Sequence, residues 1–253
     1  MLLAKHEPDP VIAVNAGADR SPVVLIGDHA GRAIPQALGD LGLPPTELRR
    51  HIAWDIGVAD LGPALADALD APFIAQHYSR LVIDCNRDPA RVDSICEISD
   101  GTTIRGNLAL SSAHRLQRVQ TIFEPYHAAI AALLDGRAGR PTVLVAVHSF
   151  TPVFQDHVRP WRFGVLHRED SPLSRAMLSV LREAEGEAAV GDNEPYAMDT
   201  VDYTIPHHAD ARGLDYVELE IRQDLIAIPA DAQAMARRLA PLVERAVKLT
   251  LGT

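Results

Sequence analysis

A chain of 253 residues with a formal net charge of -10 and a pI near 5.5 excludes nucleic acid and anionic membrane surfaces as main partners. Its 47% hydrophobic and 23% charged content is that of a soluble globular protein. Two cysteines, Cys85 and Cys96, cannot build a disulfide framework, and no stretch approaches the ~20 apolar residues of a membrane helix. With a polar N-terminus that does not read as a signal peptide, a cytoplasmic location is expected.

Residues 1–21 read as an extended lead-in. Val23–Ile26 is a continuous apolar run, the pattern of a strand buried on both faces, and it ends in the loop Gly27-Asp28-His29-Ala30-Gly31-Arg32. Asp28 and His29 suit either a site at a strand's carboxyl end or a solvated turn. Val58–Leu69 has apolar residues at helical spacing, and Asp55 just ahead of it suits either a helix cap or an acidic ligand. Pro72–Ala75 is a second short strand.

The run Gln76–Pro89 has an apolar centre, Leu81-Val82-Ile83, and a polar outflow, Asp84-Cys85-Asn86-Arg87. It is expected to be a buried strand delivering Asn86 and Arg87 at its carboxyl end, where open α/β sheets present ligand-binding groups. Arg91–Asn107 is a long polar loop of the kind that carries function. Ser111–Asp135 follows helical periodicity, with Pro125 breaking or kinking it. Thr142–Val147 is strand-like and runs into His148-Ser149; Phe163–Leu166 is another strand and Pro172–Glu185 a helix. His207-His208 falls in an expected loop. Tyr216–Arg222 alternates polar and apolar residues, which places Glu218 and Glu220 on one face. A terminal helix over 231–250 has Asp231 as its expected cap. This alternation of strands and helices predicts one α/β domain spanning 1–253, with a mostly parallel or mixed central sheet and helices on both faces.

The chemistry-bearing residues converge on one sheet edge: His29, Asn86-Arg87, His148 and Glu220. Two histidines and a carboxylate are a common ligand set for catalytic zinc. A further glutamate can shuttle a proton, and an arginine fork suits a substrate carboxylate. Metal-assisted hydrolysis of an acidic amide accounts for the set. Dinucleotide-binding, Walker, Gly-x-Ser-x-Gly and His-Glu-x-x-His motifs are absent. Cys85 reads as a small buried residue rather than a nucleophile.

Several segments together resemble the N-formylglutamate amidohydrolase family: Gly27–Pro35, Ala53-Trp54-Asp55-Ile56-Gly57, Tyr78–Arg87, Ser99–Thr102, His148–Pro152, Arg159-Pro160-Trp161, Asp192–Tyr196 and Glu220–Leu225. That family resembles, more distantly, the zinc carboxypeptidases and aspartoacylases, with a phosphorylase/hydrolase-like fold. The resemblance implies a single zinc ion on His29 and His148, a carboxylate clamp at Asn86 and Arg87, and Glu220 as general base, with Glu218 able to exchange roles with it. Those relatives take their acidic ligand three residues after the first histidine, where this chain has Arg32. Asp55 is the expected substitute, and Asp28 a second candidate. Arg162, Tyr196 and His207-His208 are further candidates for substrate contact. The implied reaction is hydrolysis of a small acidic N-acyl amino acid, with N-formyl-L-glutamate foremost. A metal-free carboxylate-binding protein and a carboxypeptidase-like peptidase are the rival readings.

Overall fold

A computed structural model describes residues 1–18, 20–168, 171–198 and 201–252. Seven strands form one sheet: β1 (Val11–Val14), β2 (Val23–Gly27), β3 (Phe73–Gln76), β4 (Val143–Phe150), β5 (Phe163–Leu166), β6 (Val190–Asp192) and β7 (Asp215–Arg222), in the order β1-β3-β2-β4-β7-β5-β6. The central four, β3-β2-β4-β7, are parallel. β1 runs antiparallel to β3 at one edge, and β5 antiparallel to β7 near the other, so the sheet is mixed as expected.

The helices are α1 (Val58–Leu69), α2 (Ser112–Arg118), α3 (Glu124–Asp135), α4 (Pro172–Glu185), α5 (Thr204–His208) and α6 (Pro229–Leu251). Alternate residues of β2 separate into two layers, because successive side chains on a strand point to opposite faces. Val23 and Leu25 join the core formed with α1, α4 and α6. Val24 and Ile26 join the core formed with α3 and the loops beside it. Helices therefore cover both faces, which is why β2, β4 and β5 are buried at every position.

Leu81-Val82-Ile83 is not a strand. It is fully buried, but as a turn: the Val82 N–H donates to the Ser79 carbonyl at 2.9 Å and the Leu81 N–H to Ser79 Oγ at 3.1 Å. Buried carbonyls need donors, and here side chains supply what a neighbouring strand would. Asn107 Nδ2 donates to the Leu81 carbonyl at 2.9 Å, and Arg118 Nη1 to the Val82 carbonyl at 2.8 Å. Both donors lie more than twenty residues away in sequence, so the apolar run carried no local sign of them.

Other boundaries shift for similar reasons. The lead-in contains β1, whose strand character comes from pairing with β3. Pro125 sits in the first turn of α3, and a π-helical turn over Val119–Phe123 joins α2 to α3. A proline has no N–H for the carbonyl four residues back, and the wider turn accommodates that. α6 begins at Pro229 without a side-chain cap, so Asp231 lies inside its first turn. His207 and His208 belong to α5 rather than to a loop.

The loop after β2 runs beside the extension of β3. The Ala33 N–H donates to the His77 carbonyl at 3.3 Å, and the Ser79 N–H to the Ala33 carbonyl at 2.8 Å. A Cβ on Gly31 would collide with the backbone of His77. Gly31→Ala is expected to lower stability by about 3 kcal/mol, read as a lower denaturant midpoint, because backbone cannot give way as a flexible side chain can. An unchanged midpoint would show that the two segments are not held this close.

Candidate metal centre and substrate cavity

A cavity of about 510 Å³ opens at the carboxyl ends of β2, β4 and β7, lined among others by His29, Asp55, Arg80, Asp84, Asn86, Arg87, His148, Glu218 and Glu220. Each element places its group for a local reason. β2 ends at Gly27 and hands the chain to Asp28 and His29. β4 and β7 are paired in parallel, with Glu220 opposite His148 and Glu218 opposite Ala146. Residues 218 and 220 share a face, so both glutamates enter the same cavity.

Asp55 does not cap α1. Gly57, with φ of 90°, holds that position without a side-chain bond. The Asp55 N–H donates to the His29 carbonyl at 2.9 Å, which ties its loop to the end of β2. Its carboxylate Oδ2 then lies 2.9 Å from His148 Nδ1 and 3.7 Å from His29 Nδ1, and accepts from the Ser149 N–H at 3.2 Å. His29, Asp55 and His148 thus offer three donor atoms within 4.8 Å of one another, all buried.

The far nitrogen of each imidazole faces a second carboxylate. His29 Nε2 is 2.7 Å from Asp84 Oδ1, and His148 Nε2 is 3.3 Å from Asp28 Oδ2. Asp84 also receives the Arg80 guanidinium, at 2.6 Å from Nη2 and 3.0 Å from Nε. Asp28 accepts from Tyr126 at 3.0 Å and from Thr204 at 2.7 Å. The Asp84 carboxylate behind His29 fixes that ring's tautomer and aims its near nitrogen at the Asp55 side, the usual support of a metal-ligating histidine, whereas His148 Nε2 and Asp28 Oδ2 face one another without a hydrogen bond.

The cluster is strongly charged for a buried site. Burial opposes ionisation of Asp28, Asp55 and Asp84, yet the imidazoles and, for Asp84, Arg80 hold all three carboxyls below the ordinary range. Burial likewise lowers the imidazole pKa of both histidines, but the surrounding carboxylates prevail and the net direction is up. His29 Nδ1 is buried with no hydrogen-bond partner. An orphaned nitrogen beside a carboxylate and a second imidazole, inside an acidic shell, fits a divalent ion held by His29, Asp55 and His148.

The two glutamates differ. Burial raises the pKa of both. Glu218 is deeper along β7, and Asp202 and Glu220 add repulsion, so it stands well above the carboxylate range. Glu220 is pushed up to about 7, where it can accept and return a proton near neutral pH.

Among the sequence-derived candidates, Arg87 lines the cavity, with Nη1 3.3 Å from Asp93 and Nε 3.7 Å from Asp84. The Asn86 amide is already engaged: its Oδ1 accepts from the backbone of Tyr203 at 3.1 Å and Thr204 at 2.9 Å, and its Nδ2 donates to Asp202 at 3.2 Å. Asn86 therefore anchors α5 at the cavity wall. Arg162 is corrected. It pairs with Glu185 at 3.1 Å and is not among the lining residues, because its backbone sits between Ala189 and Arg222. His208 is buried against His127 at 2.9 Å, its pKa pushed down to about 3 by burial, and neither it nor His207 lines the cavity. Tyr196 does line it. Arg32 stacks on Trp54, 5.1 Å from the ring centroid, and takes no ligand position.

Arg80 and Asp84 join the site without a strong local signature in the sequence. Arg80 uses its fork on Asp84 and holds Nη1 3.6 Å from Asp55, beside the cluster. Its signal was a lone cation next to an apolar buried run, four residues before an aspartate.

Fold and site together define a mixed α/β protein with a histidine–carboxylate centre at the carboxyl edge of its sheet. The family model for N-formylglutamate amidohydrolase matches residues 21–227, and the chain belongs to that family. A gene product of Agrobacterium tumefaciens is 36% identical, with 98% of each chain covered and a TM-score of 0.93. An N-formylglutamate amidohydrolase from Ralstonia eutropha is 21% identical and shares the fold at a TM-score of 0.65, with 94% of this chain and 99% of that chain covered. No curated protein matches the sequence. Among the described residues, no helix is long and apolar enough to cross a membrane.

Proposed function

We propose that this protein hydrolyses the amide bond of small N-acyl amino acids, with N-formyl-L-glutamate as the foremost substrate and formate and L-glutamate as products. The observation that carries this reading is the His29–Asp55–His148 cluster, with its orphaned His29 Nδ1, sharing a cavity with Glu220. Family membership supports amide hydrolysis. The ligand set suits zinc, which when bound supplies Lewis acidity toward an amide carbonyl and acidifies water.

The chain's own residues do the rest. Glu220 removes a proton from the attacking water and returns it to the departing nitrogen, which a carboxyl pKa near 7 permits in both directions. Arg80, beside Asp55, faces the negative charge that develops on the carbonyl oxygen. Arg87 holds the α-carboxylate, exchanging its loose pairing with Asp93 for the substrate. Asp84 keeps the His29 imidazole in register, and Asp28 lies 3.3 Å behind His148 as a counter-charge.

The test is metal analysis of the purified protein together with formate release from N-formyl-L-glutamate. Close to one divalent ion per chain and steady formate release are expected. A protein that takes up no metal and releases no formate, but binds carboxylates, would instead be a binding protein of the same fold.

A further inference from the structure

Directly behind the residues that line the cavity lies a cation that has not been neutralised. Arg80 lies on Asp84, and Arg87 lies between Asp84 and Asp93. Arg159 is buried, 8% exposed, yet among the described residues no carboxylate stands at ion-pair distance from it. It closes the short hairpin that leaves β4 just beyond His148, with its N–H donating to the Pro152 carbonyl at 2.8 Å.

Its guanidinium sits in a box of three rings: Tyr196 at 4.6 Å, Phe154 at 4.9 Å and Phe150 at 5.9 Å from the centroids. Among the described residues, only Nη1 makes hydrogen bonds, to the Thr151 carbonyl at 3.3 Å and to Tyr196 Oη at 2.9 Å, which leaves Nε and Nη2 unspent. All four neighbours, Phe150, Thr151, Phe154 and Tyr196, line the same cavity as Arg87 and Glu220, and Arg159 stands immediately behind them, reaching the cavity between its lining rings rather than forming its wall.

Aromatic faces stabilise a cation without cancelling its charge. They hold the planar fork rigid and strip much of its water, which sharpens its preference for a bidentate anion. A buried cation without a counter-charge is costly to keep, and an anionic ligand relieves that cost on binding. We infer that Arg159 is a specificity-determining residue that anchors the second carboxylate of a dicarboxylic N-acyl amino acid, while Arg87 holds the first. The enzyme would thereby select acidic over neutral side chains. This rests on the reading of the cavity as an N-acyl amino acid site.

The experiment compares metal-loaded wild type, Arg159→Met and Arg159→Lys on N-formyl-L-glutamate and its neutral isostere N-formyl-L-glutamine. In Arg159→Met the ratio of kcat/KM for glutamate over glutamine is expected to fall about 10- to 100-fold, mostly through KM, as for a lost hydrogen bond to a charged group. Arg159→Lys should fall between, keeping the charge but losing the fork. Equal losses on both substrates would show a purely structural role and overturn the inference, as would an unchanged ratio. A second arm titrates glutarate and butyrate into Glu220→Gln protein with and without Arg159→Met. If wild type released no formate from either substrate, the hydrolase reading would fail, while an Arg159-dependent preference for glutarate would still support the subsite. If wild type released formate and glutarate bound equally well without Arg159, the inference alone would fall.

Discussion

His148→Ala is expected to lose bound metal and at least about 10³-fold in turnover, since Lewis-acid stabilisation supplies several kcal/mol of the barrier reduction. The loss follows from geometry. His148 supplies one of the three donor atoms, with Asp55 and His29 supplying the others, and alanine leaves Asp55 and Asp28 facing one another across a hole without the imidazole that separates them. Asp84→Asn is the graded companion. It keeps the shape behind His29 but removes the carboxylate 2.7 Å from Nε2, and should weaken metal affinity about 10- to 100-fold. Metal content by elemental analysis and formate release read both variants, with circular dichroism confirming that they fold. His148→Ala protein that kept its metal and turned over within a few-fold of wild type would remove the cluster from the mechanism.

Glu220→Gln should separate activity from stability. Removing the proton shuttle is expected to lower kcat about 10²- to 10⁴-fold with KM little changed, because substrate is held by other groups. The same substitution should make the metal-free protein more stable at pH 8. Burial raises the Glu220 pKa to about 7, so its ionisation opposes folding. The sign is fixed by that direction: the unfolded chain gives up the proton first, so the penalty is absent well below pH 4.5, grows as pH rises, and is complete above about pH 7. Neutral glutamine escapes it, a gain on the order of 2 kcal/mol at pH 8 and none at pH 4. For a chain of this size that is a rise of about 4 to 8 °C in thermal midpoint. Thermal midpoints of wild type and Glu220→Gln that moved in parallel with pH would show that Glu220 ionises freely in the folded state.

Much of this molecule was legible from residues alone. β2, β4, β5 and β7 stand as apolar or alternating runs because both their faces, or one face and a cavity, are set by short-range periodicity. α1 and α4 begin and end where the sequence pattern places them. His29, His148 and Glu220 could be found because a parallel sheet puts the ends of several strands on one edge, so a polar residue after a buried run has few other places to go.

What the pattern could not decide was anything settled by partners distant in sequence. Leu81–Ile83 looks like a strand, but Asn107 and Arg118 supply its carbonyls with donors and let it be a buried turn. Asp55 has the local signature of a helix cap; only the pairing of β4 with its neighbours brings His148 to its carboxylate. Asn86 turned inward to α5 and Arg162 outward to Glu185 through contacts no local window contains. The sequence by itself determined most of the long helices and buried strands, the sheet edge and which residue types gather there, because periodicity and turn chemistry act over a few residues. Only the tertiary structure decided which carboxylate faces which imidazole and which arginine is left without a counter-charge, because those are sums over charges and donors that meet only when the chain is folded.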